Sequence, residues 1–259
     1  MSSVYDGVAA RWATGASIVY APIARELVRR SPHPIGGHLV LDAGAGTGVG
    51  SDALRAAGAA VVALDLSADM LRWDRTHRPP CVAAGIGQVP IAVGSVDDIY
   101  ASFVLNHVAE PVVAMRELAR TARPGGAFLA TTFANESASA VRDRIDDVAR
   151  SRGWEPPDWY AALKADVIPL LGSAGAMRAA AVDAGLASID VEETAFDVGV
   201  TEAAQLVDYR FGQAHVAAWF RTMDAPTVEA IRADAIAAVE PVMVPYRPTV
   251  VFLSAIVTG

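Results

Sequence analysis

The sequence predicts an α/β fold: a doubly wound, mostly parallel sheet of seven strands, with helical lid insertions after strands five and six. Three observations predict it. From Leu39 to Phe133, short continuous apolar runs alternate with helical segments, the pattern of a parallel sheet covered on both faces. A glycine-rich loop follows the first run, where a parallel sheet places its ligand sites. After Phe133 the rhythm changes, and extra helical blocks appear at about 135–171 and 201–239 before a closing β segment.

In chain order, "VAARWATGASIVYAPIARELVRR" is helical, interrupted by Gly15 and Pro22, and "SPHPIGG" ends it with turn chemistry. "HLVLDAG" is the first strand and "VGSDALRAAG" a helix with Gly58 as its C-cap. "AAVVALD" is the second strand, and "SADMLRWDRTH" a helix capped by Ser67. "CVAAG" and "DDIYASFVL" are strands three and four. "EPVVAMRELARTA" is a helix with Pro111 in its first turn, stopped by "RPGG", and "AFLATTF" is the fifth strand. "SASAVRDRIDDVARSRG", "PPDWYAALKADVIPLLG" and "SAGAMRAAAVDAG" are helical, "LASIDVEETAF" is a strand, and "EAAQLVDYRFGQAHVAAWF" and "TVEAIRADAIAAV" are helical again. "TVVFLSAIVTG" is the last strand. These runs divide one domain into N-terminal cover helices (1–38), a core (39–134) and two insertions (135–172 and 200–241).

Composition excludes several classes. The chain has 259 residues, 53% hydrophobic and 19% charged, which is globular rather than disordered. A net charge of −8 leaves no broad basic surface for nucleic acid, and the arginines of "RELVRR" read as a solvated face. The single cysteine, Cys81, excludes an internal disulfide and reads as a small buried residue. With neither a signal-peptide pattern nor an apolar run of the ~18 residues that span a bilayer, the expectation is a cytoplasmic protein with no membrane partner.

The loop "VLDAGAGTGVG" carries the chemistry. Gly44, Gly46 and Gly48 can take positive φ and bring main-chain N–H groups against a ligand, with the next helix pointing its N-terminus at the same place. The dinucleotide spacing G-x-G-x-x-G fails, because its third glycine would fall on Val49. Asp42, just before the loop, repels a pyrophosphate and suits an ammonium group instead. Asp65 ends the second strand, nineteen residues beyond Gly46, where its two oxygens can accept from both hydroxyls of a ribose, with Leu66 beside an adenine face.

"VLDAGAGTG", "LDLSADML", the stretch "SVDDIYASFVLNHVAEPVVAMRELARTARPGGAFLATTF" and the N-terminal "YDGVAARW" together resemble the class I S-adenosylmethionine-dependent methyltransferases, in the branch that modifies small molecules. The resemblance runs from about Tyr5 to Phe133. It implies a sheet whose last strand is antiparallel, and S-adenosylmethionine as cofactor. It implies cofactor contacts at Tyr5, Asp42, Gly44, Ala45, Gly46, Gly48, Asp65, Leu66, Met70, Gly85, Ile86 and Asn106. The chain departs from the family at Gly85, where an acid often bonds the adenine amino group; a backbone carbonyl, a water or Gln88 would take that role.

Methyl transfer needs a positioned acceptor and, for a hydroxyl, a proton acceptor. His107, at the end of strand four, is the candidate general base, with an unperturbed pKa near 6.5. Trp12, Tyr20, His107, Tyr160, Tyr209 and His215 are the candidate substrate contacts, within a set of aromatics that suggests a closed, largely apolar pocket. No "HExxH" or paired "CxxC" is present, so no metal is expected; Asp97 and Asp98 read as strand-end acids, and His33 and His38 as solvated turn residues. The expected activity is methyl transfer to a small organic molecule, oxygen ahead of nitrogen or carbon. The alternatives are a protein that keeps the cofactor without transferring methyl, as a cyclase or binding module, and a nicotinamide oxidoreductase, which Val49 and Asp42 disfavour. The pattern leaves a homodimer open.

Overall fold

The computed structural model describes residues 4–135, 137 and 139–259; of the predicted cover and lid, 1–3, 136 and 138 lie outside them. The chain begins with α1 (Ala9–Arg11), a π-helical turn (Trp12–Ala16) and α2 (Ser17–Arg29). Then follow β1 (Leu39–Ala43), α3 (Val49–Ala56), β2 (Ala60–Asp65), α4 (Ala68–Arg72), β3 (Cys81–Ala83), β4 (Asp98–Ser102), α5 (Pro111–Thr121) and β5 (Ala127–Phe133). After β5 come α6 (Ala140–Ser151), α7 (Asp158–Ala162), α8 (Ala174–Asp183) and β6 (Ala187–Ala195). The chain closes with α9 (Ala203–Gly212), α10 (Ala214–Phe220), α11 (Ala225–Val239) and β7 (Thr249–Ile256).

The seven strands form one sheet in the order β3-β2-β1-β4-β5-β7-β6. β1 to β5 pair in parallel, and β7 runs antiparallel to both neighbours, as expected. The side-chain alternation of the central strands divides the core into two layers. Tyr100, Leu129 and Phe252 face α2, α3, α6, α9 and α11, while Ile99, Ala101, Phe128, Ala130 and Leu253 face α5 and α8. No single helix among the described residues is long and apolar enough to cross a membrane.

The predicted Ser67 cap accepts from the Met70 amide at 3.3 Å and Pro111 opens α5 as expected; Ser139 and Ser173, not predicted, cap α6 and α8. Two helices differ from expectation. α4 stops at Arg72 instead of reaching His77, because Trp73 turns to an extended conformation and Asp74 takes a positive φ of 47°. The segment expected to be continuous from Glu202 to Phe220 breaks at Gln213. The break follows Gly212, where a Cβ would lie 2.8 Å from the Arg11 carbonyl oxygen and 2.5 Å from the Ala16 amide nitrogen. Gly15, on the opposing π turn, would run into the Asp208 carbonyl in the same way. These two glycines let the N-terminal helix and α9 cross with their backbones nearly touching.

Cys81 is exposed, not buried, because β3 is a three-residue edge strand and its first residue turns outward. The arginines of "RELVRR" are partly paired: Arg29 and Arg30 bond Glu26, and Arg30 also reaches Glu192 at 2.7 Å. His33 and His38 are only partly solvated. Both turn toward Asp98, itself 1% exposed, with His38 Nδ1 2.7 Å from Oδ2 and His33 Nε2 3.3 Å from Oδ1. Asp97 and Asp98 sit at the amino end of β4, away from the glycine loop. Asp97 accepts from the Leu39 amide and Asp98 from the Ala127 amide.

Candidate cofactor and substrate site

Strand order reverses between β1 and β4, and their carboxyl ends flank a cavity of about 560 Å³. A crevice at that point is where open α/β sheets bind ligands. The loop after β1 turns through Gly44, Gly46 and Gly48 at φ values of 73°, 49° and 111°. The amides of Gly44 and Ala45 donate to the Leu64 carbonyl at 2.8 and 2.9 Å, which ties the loop to β2. A Cβ on Gly44 would run into Val104 at the exit of β4. Above Gly46 there is room: the nearest atom to a Cβ there is Trp12 Nε1 at 3.9 Å.

Two carboxylates face the cavity. Asp65 holds the loop itself, its Oδ2 accepting from the Gly46 amide and its Oδ1 from the Ser67 amide, both at 2.8 Å. Burial raises its pKa, against the lowering effect of those two amides. Asp42 lies deeper, 2% exposed, and accepts from Ser51 Oγ at 2.6 Å. Burial pushes it up to about 6, since one hydroxyl does not replace the water a carboxylate loses.

The opposite wall is apolar and aromatic. Tyr5, Trp12, Tyr20, Phe103, Val104, Val108, Trp159 and Leu163 line it, and Trp12 stacks on Tyr20 at 4.9 Å. Phe103 takes a positive φ of 52° as the chain leaves β4, which turns its ring against Tyr20 and Phe133. The N-terminal segment is pinned over the site: Ser67 Oγ donates to Asp6 at 2.6 Å and the Gly7 amide donates to Asp69 at 2.8 Å.

His107 lines the cavity, and the Tyr5 hydroxyl lies 3.2 Å from its Nε2. Burial lowers its pKa to about 4, well below the near-neutral value expected of an unperturbed ring. The imidazole is therefore neutral at pH 7, with the Tyr5 hydroxyl as its hydrogen-bond partner.

Of the expected cofactor contacts, Tyr5, Asp42, Gly44, Ala45, Gly46, Asp65, Leu66, Met70, Gly85 and Ile86 line the cavity. Gly48 and Asn106 do not. Gly48 is covered by the Arg78 guanidinium, and Asn106 is buried beneath the loop after β4, 7% exposed. Gln88 is exposed and off the cavity, so it does not stand in for the missing acid at Gly85.

Of the expected substrate contacts, Trp12, Tyr20 and His107 are in the wall, whereas Tyr160, Tyr209 and His215 are not. Those three belong to the interior of the helical cap. His215 stacks on Tyr160 at 3.7 Å, Tyr209 is fully buried and accepts from Gln213 at 3.1 Å, and Arg210 grips Asp146 through two bonds of 2.6 and 2.7 Å. A buried ion pair draws polar neighbours toward itself, and here it turns them away from the cavity.

Leu163 and Arg78 were not singled out from the sequence, and Trp159 stood only within the set of lid aromatics. Trp159 and Leu163, four residues apart on one helical face, were legible by spacing. Arg78 was not. From an irregular turn it donates to the Gly46 carbonyl at 3.1 Å and packs behind the loop. An isolated arginine in a turn carries no periodic signal.

Residues 41–130 match the family model described as "Methyltransferase domain". The chain is 36% identical over 140 residues to a demethylmenaquinone methyltransferase from Mycolicibacterium paratuberculosis, a match spanning 53% of this chain and 61% of that protein. It is 35% identical over 151 residues to the enzyme of the same name from Clavibacter sepedonicus, spanning 56% and 60%. The chain thus spans about 60% of the length of these relatives. A solved Haemonchus contortus phosphoethanolamine N-methyltransferase 2, bound to phosphomonomethylethanolamine and S-adenosylhomocysteine, superposes with a TM-score of 0.60. That match has 16% identity and covers 92% of this chain and 53% of that one, so the likeness is one of fold.

Over residues 41–130 the chain thus resembles a methyltransferase domain, and its fold is shared with solved methyltransferases. The residues present suit S-adenosylmethionine: an open glycine turn, a carboxylate at each of two strand ends, and apolar side chains at Leu66, Met70 and Ile86.

Proposed function

We propose that this protein transfers the methyl group of S-adenosylmethionine to a small, largely apolar, ring-bearing organic molecule. The observation that carries the reading is the division of one cavity into two chemistries. Carboxylates and main-chain amides lie along β1 and β2, and a wall of Trp12, Tyr20, Phe103, Trp159 and Leu163 stands across from them.

When bound, the cofactor supplies a methyl group on a sulfonium. Asp42 offers its charge to the ammonium of the methionine portion, and Asp65 its remaining lone pairs to the ribose hydroxyls. Leu66, Met70 and Ile86 flank the adenine, and main chain at Gly85 serves its amino group. The aromatic wall excludes water and orients a flat acceptor. His107, held neutral, accepts a proton through Nε2 once the acceptor displaces Tyr5, and a hydroxyl oxygen of phenol-like acidity suits so weak a base.

Demethylmenaquinone, for which the curated relatives are named, is the first acceptor to test. The purified protein is incubated with methyl-labelled cofactor and either that compound or a fractionated metabolite extract, and mass spectrometry and NMR of the product identify the methylated atom. Label on an apolar ring compound is the expected result. Thermal stabilisation by S-adenosylmethionine and S-adenosylhomocysteine, but not by NAD or NADP, establishes binding in parallel. Binding without transfer to any extract component would leave the non-methylating reading in its place.

A further inference from the structure

A second constellation lies at the amino edge of the sheet, opposite the cofactor cavity, and it does not depend on the reading above. We propose that His33, His38 and Asp98 form a binding site for one divalent transition-metal ion, with zinc best matched to the donor set. His33 and His38 sit in the turn between α2 and β1, and Asp98 is the first residue of β4. One ligand atom from each lies within 4.8 Å of the others. Two imidazole nitrogens and one carboxylate oxygen, with a water in the fourth position, make a familiar zinc environment.

The surroundings prepare the three groups for this role. Asp98 is 1% exposed; its Oδ1, fixed by the Ala127 amide at 2.7 Å, faces His33 and its Oδ2 faces His38. The His33 Nδ1 lies 3.4 Å from the Pro34 carbonyl. A carbonyl only accepts, so this contact suits the tautomer with the hydrogen on Nδ1 and a lone pair on Nε2. In that tautomer the lone pair faces Asp98 Oδ1 at 3.3 Å, an arrangement that a cation between or beside them satisfies. Metal-bound histidines commonly hold their second nitrogen on a backbone carbonyl in this way.

His38 is placed by its own main chain: its amide donates to Ile35 at 3.0 Å and its carbonyl accepts from Ala60 at 2.8 Å. Its Nδ1 now shares a proton with Asp98 Oδ2 at 2.7 Å. The ion takes that place on Nδ1, the hydrogen of the neutral ring sits on the solvent-facing Nε2 instead, and the donors spread to the roughly 3.3 Å separation set by metal–ligand bonds of about 2.0–2.1 Å. Side-chain exposures of 27% for His33 and 38% for His38 leave an entry path and room for water.

The probe is zinc chloride, titrated calorimetrically at pH 7.5 into the full chain after chelator treatment, with cobalt(II) absorption as a report on coordination. One ion per chain is expected. The dissociation constant should rise at least about tenfold in His33→Gln and in His38→Gln, as loss of metal-site partners does. His77→Asn, which removes the other histidine paired to a carboxylate (Asp74, 2.7 Å), should leave it unchanged. Zinc should also raise the melting temperature of the parent but not of His33→Gln, while stabilisation by S-adenosylmethionine stays equal in both. No zinc uptake by the parent, or uptake by both glutamine variants with the parent's affinity, would overturn the proposal.

Discussion

Replacing Asp42 by asparagine should make the empty protein more stable and the cofactor bind less well. Asp42 is 2% exposed and burial raises its pKa from 3.8 to about 6. A shift of about two units corresponds to roughly 3 kcal/mol of ionisation penalty in the folded state. Because the folded-state pKa of this acid is raised, the native protein binds more protons than the unfolded chain between about pH 4 and 6. Stability from this group therefore falls as pH rises through that window, and the penalty is complete above pH 6. Asparagine removes the charge and keeps an acceptor for Ser51, but it brings an amide NH₂ whose burial without a partner costs about 1–2 kcal/mol. The net expectation at pH 8 is a gain of about 1–2 kcal/mol, or roughly 2–6 °C in melting temperature. At pH 4.5 the parent carboxyl is already mostly protonated and the advantage disappears. Calorimetric titration of S-adenosylmethionine should show the opposite preference: at least about tenfold weaker binding at pH 8 for the loss of one charged partner. In the parent, affinity should fall about fivefold from pH 6 to pH 5, as binding must first expel the Asp42 proton, while the asparagine variant stays flat. Equal destabilisation at both pH values with unchanged affinity would refute the reasoning and make Asp42 an anchor for Ser51 alone.

Four further outcomes are expected. Gly44→Ala combines a φ of 73° with a clash against Val104, and should abolish cofactor-dependent stabilisation in a thermal-shift assay. Arg78→Met loses the bond to the Gly46 carbonyl and should weaken cofactor binding about five- to tenfold by calorimetry, leaving the far-ultraviolet spectrum unchanged. Arg210→Met strands the buried Asp146 carboxylate and should cost about 3–5 kcal/mol in urea denaturation, with much of it recovered by adding Asp146→Leu. His107→Gln should lower turnover at least about tenfold if the ring takes the acceptor's proton. Because its pKa is about 4, the parent's kcat should show no histidine inflection between pH 6 and 8.

What the sequence made legible followed from period and position. The central strands are buried on both faces, so they read as unbroken apolar runs, and all seven were found. The glycine turn and the acids around it were visible because a backbone that must open toward a ligand needs residues without side chains there. What was missed depends on contacts far apart in sequence. Cys81 was placed inside because free cysteines usually are, but β3 is an edge. His33 and His38 were placed in solvent because a turn contained them, yet Asp98, some sixty residues on, draws them in. Tyr160 was preferred to Trp159 as a substrate contact, although only one helical face can meet the cavity and Tyr160 turns to His215. The break at Gln213 has no signal within its own helix, since its neighbour Gly212 serves the close approach of Arg11 and Ala16.

The position of β7 has a consequence for how the chain folds. Of the seven described strands β7 is made after the rest and lies between β5 and β6, and among the described residues β6 pairs with no other strand. Until residue 256 has been synthesised, β5 has an open edge and β6 has no partner. The sheet closes by insertion of a terminal segment whose contacts span more than a hundred residues, a slow and committing step. β6 suits the wait: Asp190, Glu192 and Glu193 are exposed along it, and such charges discourage an unpaired strand from joining another chain. A chain cut before Thr249 would therefore not be a slightly shorter version of this protein. It would have its ligand loop already formed and its sheet still open, a species more prone to aggregate than to function.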